Sequence, residues 1–302
     1  MKAELKTQTT KGPLVWLDMD QKELDDAYDQ AVWAPNREHI AARRRLASER
    51  AIARLGPPRR VAYGPTEIEK LDIYKTGRPN APMMIFIHGG AWKSGRAKDT
   101  AYMAEMYLTA GANFVIPDFV AVEAAGGSLM TMADQVRRAV SWVAKNAASF
   151  GGHPNRLYLS GHSSGGHLGG CVVITDWQKD FGLPLDILKG ALLVSGMYDL
   201  KPVRLSKRSK YVKFDDATEQ ALSALRHLDK IHTPLIIGHG TLETPEFQRQ
   251  SREFAAAVKA AGKPVEFFVG EGFNHFEMQE TMGNPFGLGG RAALAMMELK
   301  LV

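Results

Sequence analysis

Among the 302 residues there is a single cysteine, Cys171. A lone thiol excludes an internal disulfide and a cysteine-based metal cage, and is compatible with a reducing compartment. It lies in an apolar run, GGCVVITDW (Gly169 to Trp177), which suits an inert buried thiol better than a nucleophile. Long apolar runs are missing as well. No segment approaches the roughly 20 residues needed to span a bilayer, and the leading MKAELKTQTTKG lacks the apolar core of a secretory signal. These absences lead to the expectation of a soluble, cytoplasmic protein with no membrane association. The nine histidines show neither H-x-x-x-H nor H-E-x-x-H spacing, so no metal site is expected. Glycine-rich turns occur, but none reads G-x-G-x-x-G, and no dinucleotide or other cofactor is expected.

Charge of one sign is scarce too. The formal net charge of +5 is the small difference between 38 cationic and 33 anionic side chains. Two cationic runs stand out: RRRLASER (Arg43 to Arg50) and PVRLSKRSKYVK (Pro202 to Lys213). Neither carries the aromatic interleaving of a nucleic-acid surface, so both are expected to be solvated faces and no nucleic-acid partner is expected.

What the sequence does contain is alternation. MMIFIH (Met83 to His88), ANFVIPD (Ala112 to Asp118), RLYLSG (Arg156 to Gly161), GALLVSG (Gly190 to Gly196), PLIIGHG (Pro234 to Gly240) and PVEFFVG (Pro264 to Gly270) are short apolar runs of the kind buried on both faces of a parallel sheet. Amphipathic stretches separate them: DTAYMAEMYLTAG, a helix from Asp134 to Gly151, another from Thr244 to Gly262, and GRAALAMMELK. Strand and helix in turn predict a doubly wound α/β fold. Before it, RVAYGPTEIEKLDIYKTG predicts an antiparallel hairpin. Residues from about 18 to 55 predict two helices broken at Ala34-Pro35, a cap on a single catalytic domain whose core runs from about 60 to 302. Leu24, Ala27, Tyr28, Val32 and Trp33 recur there at helical spacing.

One turn breaks the pattern. LYLSGHSSGGHLGG (Leu157 to Gly170) packs five glycines into fourteen positions directly after a strand. Gly161-His162-Ser163-Ser164-Gly165 reads G-x-S-x-G between strand and helix, the setting of a nucleophile elbow. There a strained turn holds a serine hydroxyl above the sheet, and Ser163 is the candidate nucleophile. A serine needs a base, an orienting acid and oxyanion donors. His275, in the glycine-rich loop after the last predicted strand, is the candidate base. The loop after PLIIGHG offers Glu243 first and Glu246 three residues later; Glu243 is preferred as the acid, because Glu246 falls where a helix begins. His162 and His167 flank the elbow and are expected to shape the pocket or to hydrogen-bond locally. IHGGAW (Ile87 to Trp92), after the first long parallel strand, supplies candidate oxyanion amides at Gly89, Gly90 and Ala91, joined by that of Ser164.

HGGAW, GHSSGGHL, TPEFQRQS and the G-x-N-H ending at His275 together resemble the kynurenine formamidase (arylformamidase) branch of the α/β-hydrolases, adjacent to the hormone-sensitive-lipase-like esterases. The resemblance runs from about Asp18 to the carboxyl terminus. It implies the α/β-hydrolase fold, a triad of Ser163, Glu243 and His275, and an oxyanion motif from His88 to Trp92. Two departures are visible: the family's acid is usually Asp, and an aromatic residue usually stands where this chain has Ala91.

The function expected is a serine hydrolase acting on a small-molecule carboxylic ester or aryl amide or formamide through an acyl-enzyme. A carboxylesterase without formamidase activity and a non-catalytic receptor on the same fold are the alternatives. A compact acyl group is expected against Ala91 and Trp92, with an aromatic or bulky leaving part among Tyr28, Trp33 and Tyr198; His88 and His162 complete the expected pocket.

Overall fold

The structure, a computed structural model, describes residues 11–300. Ten strands are present among them: β1 (Leu14–Trp16), β2 (Met19–Asp20), β3 (Arg59–Ala62), β4 (Lys70–Tyr74), β5 (Ala81–Ile87), β6 (Asn113–Pro117), β7 (Gly152–His162), β8 (Leu188–Val194), β9 (Leu235–Gly240) and β10 (Val265–Gly270). The first two form a small hairpin of their own. The other eight make one sheet in the order β10-β9-β8-β7-β5-β6-β4-β3. The six apolar runs read as parallel strands are β5 to β10, and every pairing among them is parallel. The expected hairpin is β3–β4, with β4 antiparallel to both β3 and β6. This is the mostly parallel α/β-hydrolase sheet.

Both faces of the central strands are covered, which is why their sequences lack alternation. Along β5, Met83, Ile85 and Ile87 join one apolar layer while Met84 and Phe86 join the other. The first layer includes Val136 and Val140 of the helix Leu129–Asn146, and Phe254 and Val258 of the helix Pro245–Ala260. The second includes Met106 and Tyr107 of Ala104–Ala110 and Leu294 of Leu288–Met296. Buried strands of this kind dominate the folding free energy through apolar area removed from water.

Three local differences from the sequence reading have physical reasons. The helix expected to start at Asp134 starts at Leu129, because the Ser128 hydroxyl accepts from the Thr131 amide and caps it five residues earlier. DTAYMAEMYLTAG is divided into a 3₁₀ stretch, Ala97–Met103, and an α-helix, Ala104–Ala110, closed by left-handed Gly111. The leading segment holds three helices, Gln21–Ala27, Gln30–Trp33 and Arg37–Leu55, where two were expected. Asp29 accepts from the Ala31 amide and starts the extra one. The break near Pro35 is real, and the helical stripe is buried only as far as Tyr28: Leu24, Ala27 and Tyr28 are in the core, whereas Val32 and Trp33 are exposed.

Among the described residues no helix is long and apolar enough to cross a membrane, and no group of three or more His, Cys, Asp or Glu side chains could hold a metal ion.

Candidate active site

Parallel strands deliver their carboxyl ends to one edge of the sheet, and the loops there carry the chemistry. At the end of β7, Ser163 has φ 60° and ψ −126°, a conformation that few residues other than glycine adopt. It persists because the crowding around it allows nothing else. A side chain at Gly161 would drive into the Gly165 carbonyl, and one at Gly165 into the carbonyls of Ile87 and His88. The helix Ser164–Val173 therefore starts directly against β5 and β7. This is the steric reason for the glycines in LYLSGHSSGGHLGG.

Three side chains distant in sequence meet at this turn. His275 Nε2 is 2.8 Å from Ser163 Oγ, and His275 Nδ1 is 2.6 Å from Glu243 Oε2. With the carboxylate accepting from Nδ1–H, the Nε2 lone pair is left facing the serine hydroxyl. His275 opens the helix His275–Thr281, whose start is fixed by a reciprocal cap between Asn274 and Glu277. Asn36 of the leading segment donates to Glu277 at 2.9 Å and accepts from Asn274 at 2.7 Å, tying that segment to the histidine loop.

Glu243 is buried, and its second oxygen is also occupied. Oε1 accepts from the Ser195 hydroxyl at 2.6 Å and from the Gly240 amide at 2.7 Å. Burial pushes the Glu243 carboxyl up from its ordinary range, and those two donors oppose the shift. Ser195, just past β8, has φ 54°, so backbone strain points its hydroxyl at the acid. Sequence reasoning missed it. Its signal was faint: a serine ending GALLVSG at the carboxyl edge, one strand away from the elbow. Glu246, the rejected alternative, lies elsewhere. It pairs with Arg249 at 2.6 Å and accepts from the Tyr28 hydroxyl at 2.8 Å.

The loop after β5 turns left-handed three times in a row, at Gly90 (φ 123°), Ala91 (φ 54°) and Trp92 (φ 64°). The Trp92 amide donates to Ser164 Oγ at 3.2 Å. Among the described residues no acceptor is bonded to the amides of Gly89, Gly90 or Ala91. Gly89 packs so closely on the elbow that an added Cβ would stand 2.9 Å from the His162 carbonyl oxygen and 3.1 Å from Ser163 Cβ.

A pocket of about 780 Å³ opens over Ser163 and His275. Its floor includes His88, Gly89, Gly90, Ala91 and His162, and its wall includes Tyr28, Arg44, Arg208, Tyr211 and Phe276. Of the residues expected to contact substrate, His88, His162 and Tyr28 line it, and three do not. Trp92 is buried beneath the loop, where its indole N–H donates to His167 Nδ1 at 3.3 Å. Tyr198 is fully buried and stacked on Phe254 at 4.2 Å. Trp33 is 43% exposed on the outer surface, past the end of the buried stripe. Trp92 therefore offers no surface to the acyl group expected against it.

The histidines of the site are held neutral. Burial lowers His275 well below an ordinary imidazole, helped by the positive charges of Arg208 and Arg44. His162, its ring 4.5 Å from that of His275, is also pushed well down, by burial first and then by that neighbour. Burial takes His167 to about 3. The two arginines were missed, because both cationic runs were read as solvated. Most of their charges are: Arg43 is exposed and pairs with Glu280, and Arg204 pairs with Asp216 at 2.5 Å. Arg208 is the exception at 5% exposure.

Known proteins share this architecture. Residues 71–189 match the BD-FAE family model. A kynurenine formamidase from Danio rerio is 31% identical over 281 residues, spanning 88% of this chain and 93% of its own length. An isoprenylcysteine alpha-carbonyl methylesterase from Arabidopsis thaliana is 24% identical and aligns over 73% of this chain and 56% of its own. The solved structure of an esterase from Thermogutta terrifontis superposes with a TM-score of 0.64 at 22% identity, covering 81% of this chain and 91% of that one. The protein is a hydrolase, and the chain belongs to the kynurenine formamidase family of the α/β-hydrolases.

Proposed function

We propose that the protein is a serine hydrolase that cleaves aryl formamides and short-chain esters through an acyl-enzyme. The observation that carries this reading is the unbroken hydrogen-bonded series from Ser163 through His275 to Glu243. His275 takes the Ser163 proton as the hydroxyl attacks the scissile carbonyl, then returns it to the departing nitrogen or oxygen. Glu243 holds the imidazole in the tautomer that leaves Nε2 free and stabilises the imidazolium once formed. The unbonded amides of Gly89, Gly90 and Ala91, with that of Ser164 at a helix N-terminus, receive the oxyanion. A second water-driven cycle releases the acid.

The family relationship supports a formamide as the substrate bond, since the Danio rerio relative is named for that activity. An aromatic leaving part suits the wall, where Tyr28, Tyr211 and Phe276 offer flat surface for stacking. Residues from about 18 to 55 serve as a cap that supplies part of this wall, Tyr28, Glu38 and Arg44 among them.

The test is a fluorophosphonate label followed by peptide mapping, run beside Ser163→Ala turnover of phenyl acetate and formanilide. The label is expected on Ser163, with kcat lowered by roughly 10³ or more in the variant. Label on Ser164, or unimpaired turnover by the variant, would sink the assignment.

A further inference from the structure

The two ends of the eight-stranded sheet are finished differently. β3 closes one end with four residues, two of which are Arg59 and Arg60, the kind of charge that keeps a free edge from pairing. β10 closes the other end with VEFFVG, and it pairs with β9 alone. The Pro264 and Gly270 carbonyls accept from the Leu235 and Thr241 amides on the β9 side. In a parallel ladder every second residue turns both its N–H and its C=O to one neighbour. Glu266 and Phe268 therefore face β9 as well, and Val265, Phe267 and Val269 turn their backbone groups to the open side. Among the described residues no backbone group meets them there. Phe267, in the middle of this edge, is 40% exposed, its ring set 5.6 Å from that of His239.

The edge is complementary to itself. Lys263, Val265, Phe267, Val269 and Glu271 alternate along it. Turned about a two-fold axis through Phe267, each of them meets a suitable partner in a second copy. Phe267 faces Phe267, Val265 faces Val269, and Lys263 faces Glu271, the charged pair occurring twice. On the other face Glu266 stands opposite Phe268, so its carboxylate meets no like charge. Val265, Phe267 and Val269 are also the residues with free N–H and C=O groups. Each facing pair among them is thus a hydrogen-bonded pair of an antiparallel ladder and exchanges both bonds. Aromatic, β-branched and opposite-charge pairs are the ones that stabilise such a ladder. A slip of two residues in either direction sets Lys263 against Val269 or Glu271 against Val265, and the charges no longer meet. The side chains therefore specify the register as well as the partner.

We propose that the protein pairs with a second copy of itself through β10, antiparallel about Phe267, so that two eight-stranded sheets join into one. Because the strands of the two copies run in opposite directions, the carboxyl edges of the two sheets point opposite ways and neither pocket is covered. The interface is isologous and uses up the open end of each sheet, while the arginine-bearing β3 remains at both outer ends, so growth stops at two chains.

Sedimentation velocity of the full chain, over a wide range of concentration up to about 100 µM, tests the pairing. The wild type is expected to sediment as two chains at the top of the range and to dissociate on dilution. Phe267→Pro removes the central N–H, which the ladder to β9 does not use, together with the ring; it should raise the dissociation constant by about a hundredfold or more. Lys263→Glu and Glu271→Lys should each raise it by about tenfold, since each sets like charges against one another twice. An equimolar mixture of these two variants should recover the wild-type constant, because only the mixed pair brings opposite charges together. Neither substitution acting on the fold alone would give that recovery. Far-UV circular dichroism checks that each variant is folded, and the two charge variants decide by themselves should Phe267→Pro not fold. A single chain at every concentration in the wild type, or a particle larger than two chains, overturns the proposal. A constant unchanged in Phe267→Pro overturns it too, as do charge variants that leave pairing intact or fail to recover on mixing.

Discussion

The floor and the wall of the pocket are built on opposite principles. The floor, Gly89 to Ala91 and the turn at Ser163, is almost all backbone. Its geometry is held by positive φ angles and by carbonyls packed where a single Cβ would not fit. The wall, contributed by residues 28–45 and 207–211, consists of long side chains: Tyr28, Arg44, Arg208 and Tyr211. Each is held by contacts to partners far away in sequence, such as the bonds from Arg208 to the Tyr28 carbonyl. A floor of this kind gives one reaction geometry and tolerates almost no substitution. A wall of this kind can change its charge and shape residue by residue while the chemistry below it stays the same. On the proposed acyl-enzyme mechanism, this division lets the wall vary with the leaving group while the floor keeps one reaction geometry.

The two glutamates at the start of the helix Pro245–Ala260 sharpen this comparison most, because Glu243 serves the floor and Glu246 the wall. Glu243→Gln replaces an acceptor with an amide that cannot hold the imidazole in the right tautomer, and kcat should fall by roughly 10³. Glu246→Gln disturbs the pairing with Arg249 and the bond from Tyr28. Its expected effect is on stability, about 2 kcal/mol by urea unfolding, with kcat lowered less than about threefold. A reversal of the two effects would mean that the acid had been assigned to the wrong residue.

The same division decides what could be read in the sequence. Gly161, Ser163, Gly165, Gly89 and Gly90 were legible because their chemistry requires small residues at fixed places relative to strands. The strands were legible because burial on both faces leaves an apolar run. The position of Glu243 followed from strand order, and so did that of His275. Arg208 was not legible. Its neighbours Lys207 and Lys210 look the same in sequence, and only tertiary packing buries one cation of the run. Trp92 and Tyr198 misled for the converse reason: an aromatic beside a catalytic loop reads as a pocket residue, yet the positive φ at Trp92 turns its ring down onto His167. Trp33 continues the repeat in sequence, but the helix Gln21–Ala27 ends before it and the separate helix Gln30–Trp33 leaves it exposed.

A smaller effect tests whether the floor extends one residue deeper than the triad. Ser195 is buried and outside the pocket lining, and it donates to the second oxygen of Glu243, so on the proposed mechanism it is a positioning residue. Ser195→Ala should lower kcat by about tenfold with KM little changed, since Glu243 keeps the Gly240 amide and His275 as partners. Ser195→Thr, which restores the hydroxyl, should recover most of the rate. A hydroxyl needed only for packing would give the opposite ranking, because the larger threonine would then be the worse variant. Unfolding by urea separates the two, as the positioning role predicts a kcat loss larger than any loss of stability would explain.

The least effect, and the most direct link between wall and floor, concerns pH. In the proposed mechanism His275 is the base, and it can act only with Nε2 unprotonated. Its pKa is depressed from the ordinary 6.5, by burial first and then by the charges of Arg208 and Arg44. Nearby cations favour the neutral imidazole, so the base survives to lower pH than a solvated histidine would. The acid limb of kcat/KM for phenyl acetate should accordingly lie below 6.5. Glu243 acts in the other direction, and His162, itself held neutral, adds little charge at the pH values that matter. Removing one wall cation in Arg208→Met should move the limb upward by a few tenths of a pH unit. It cannot abolish the depression, because burial remains the larger cause. The same sign governs stability. A histidine whose folded pKa is depressed leaves the unfolded chain with more bound protons, so the native state should weaken as pH falls through about 6.5. A limb at or above 6.5 in the wild type would show that the Glu243 carboxylate outweighs burial. A limb below 6.5 that does not move in Arg208→Met would show that the wall's charge does not reach the base, leaving the two halves of the pocket electrostatically independent.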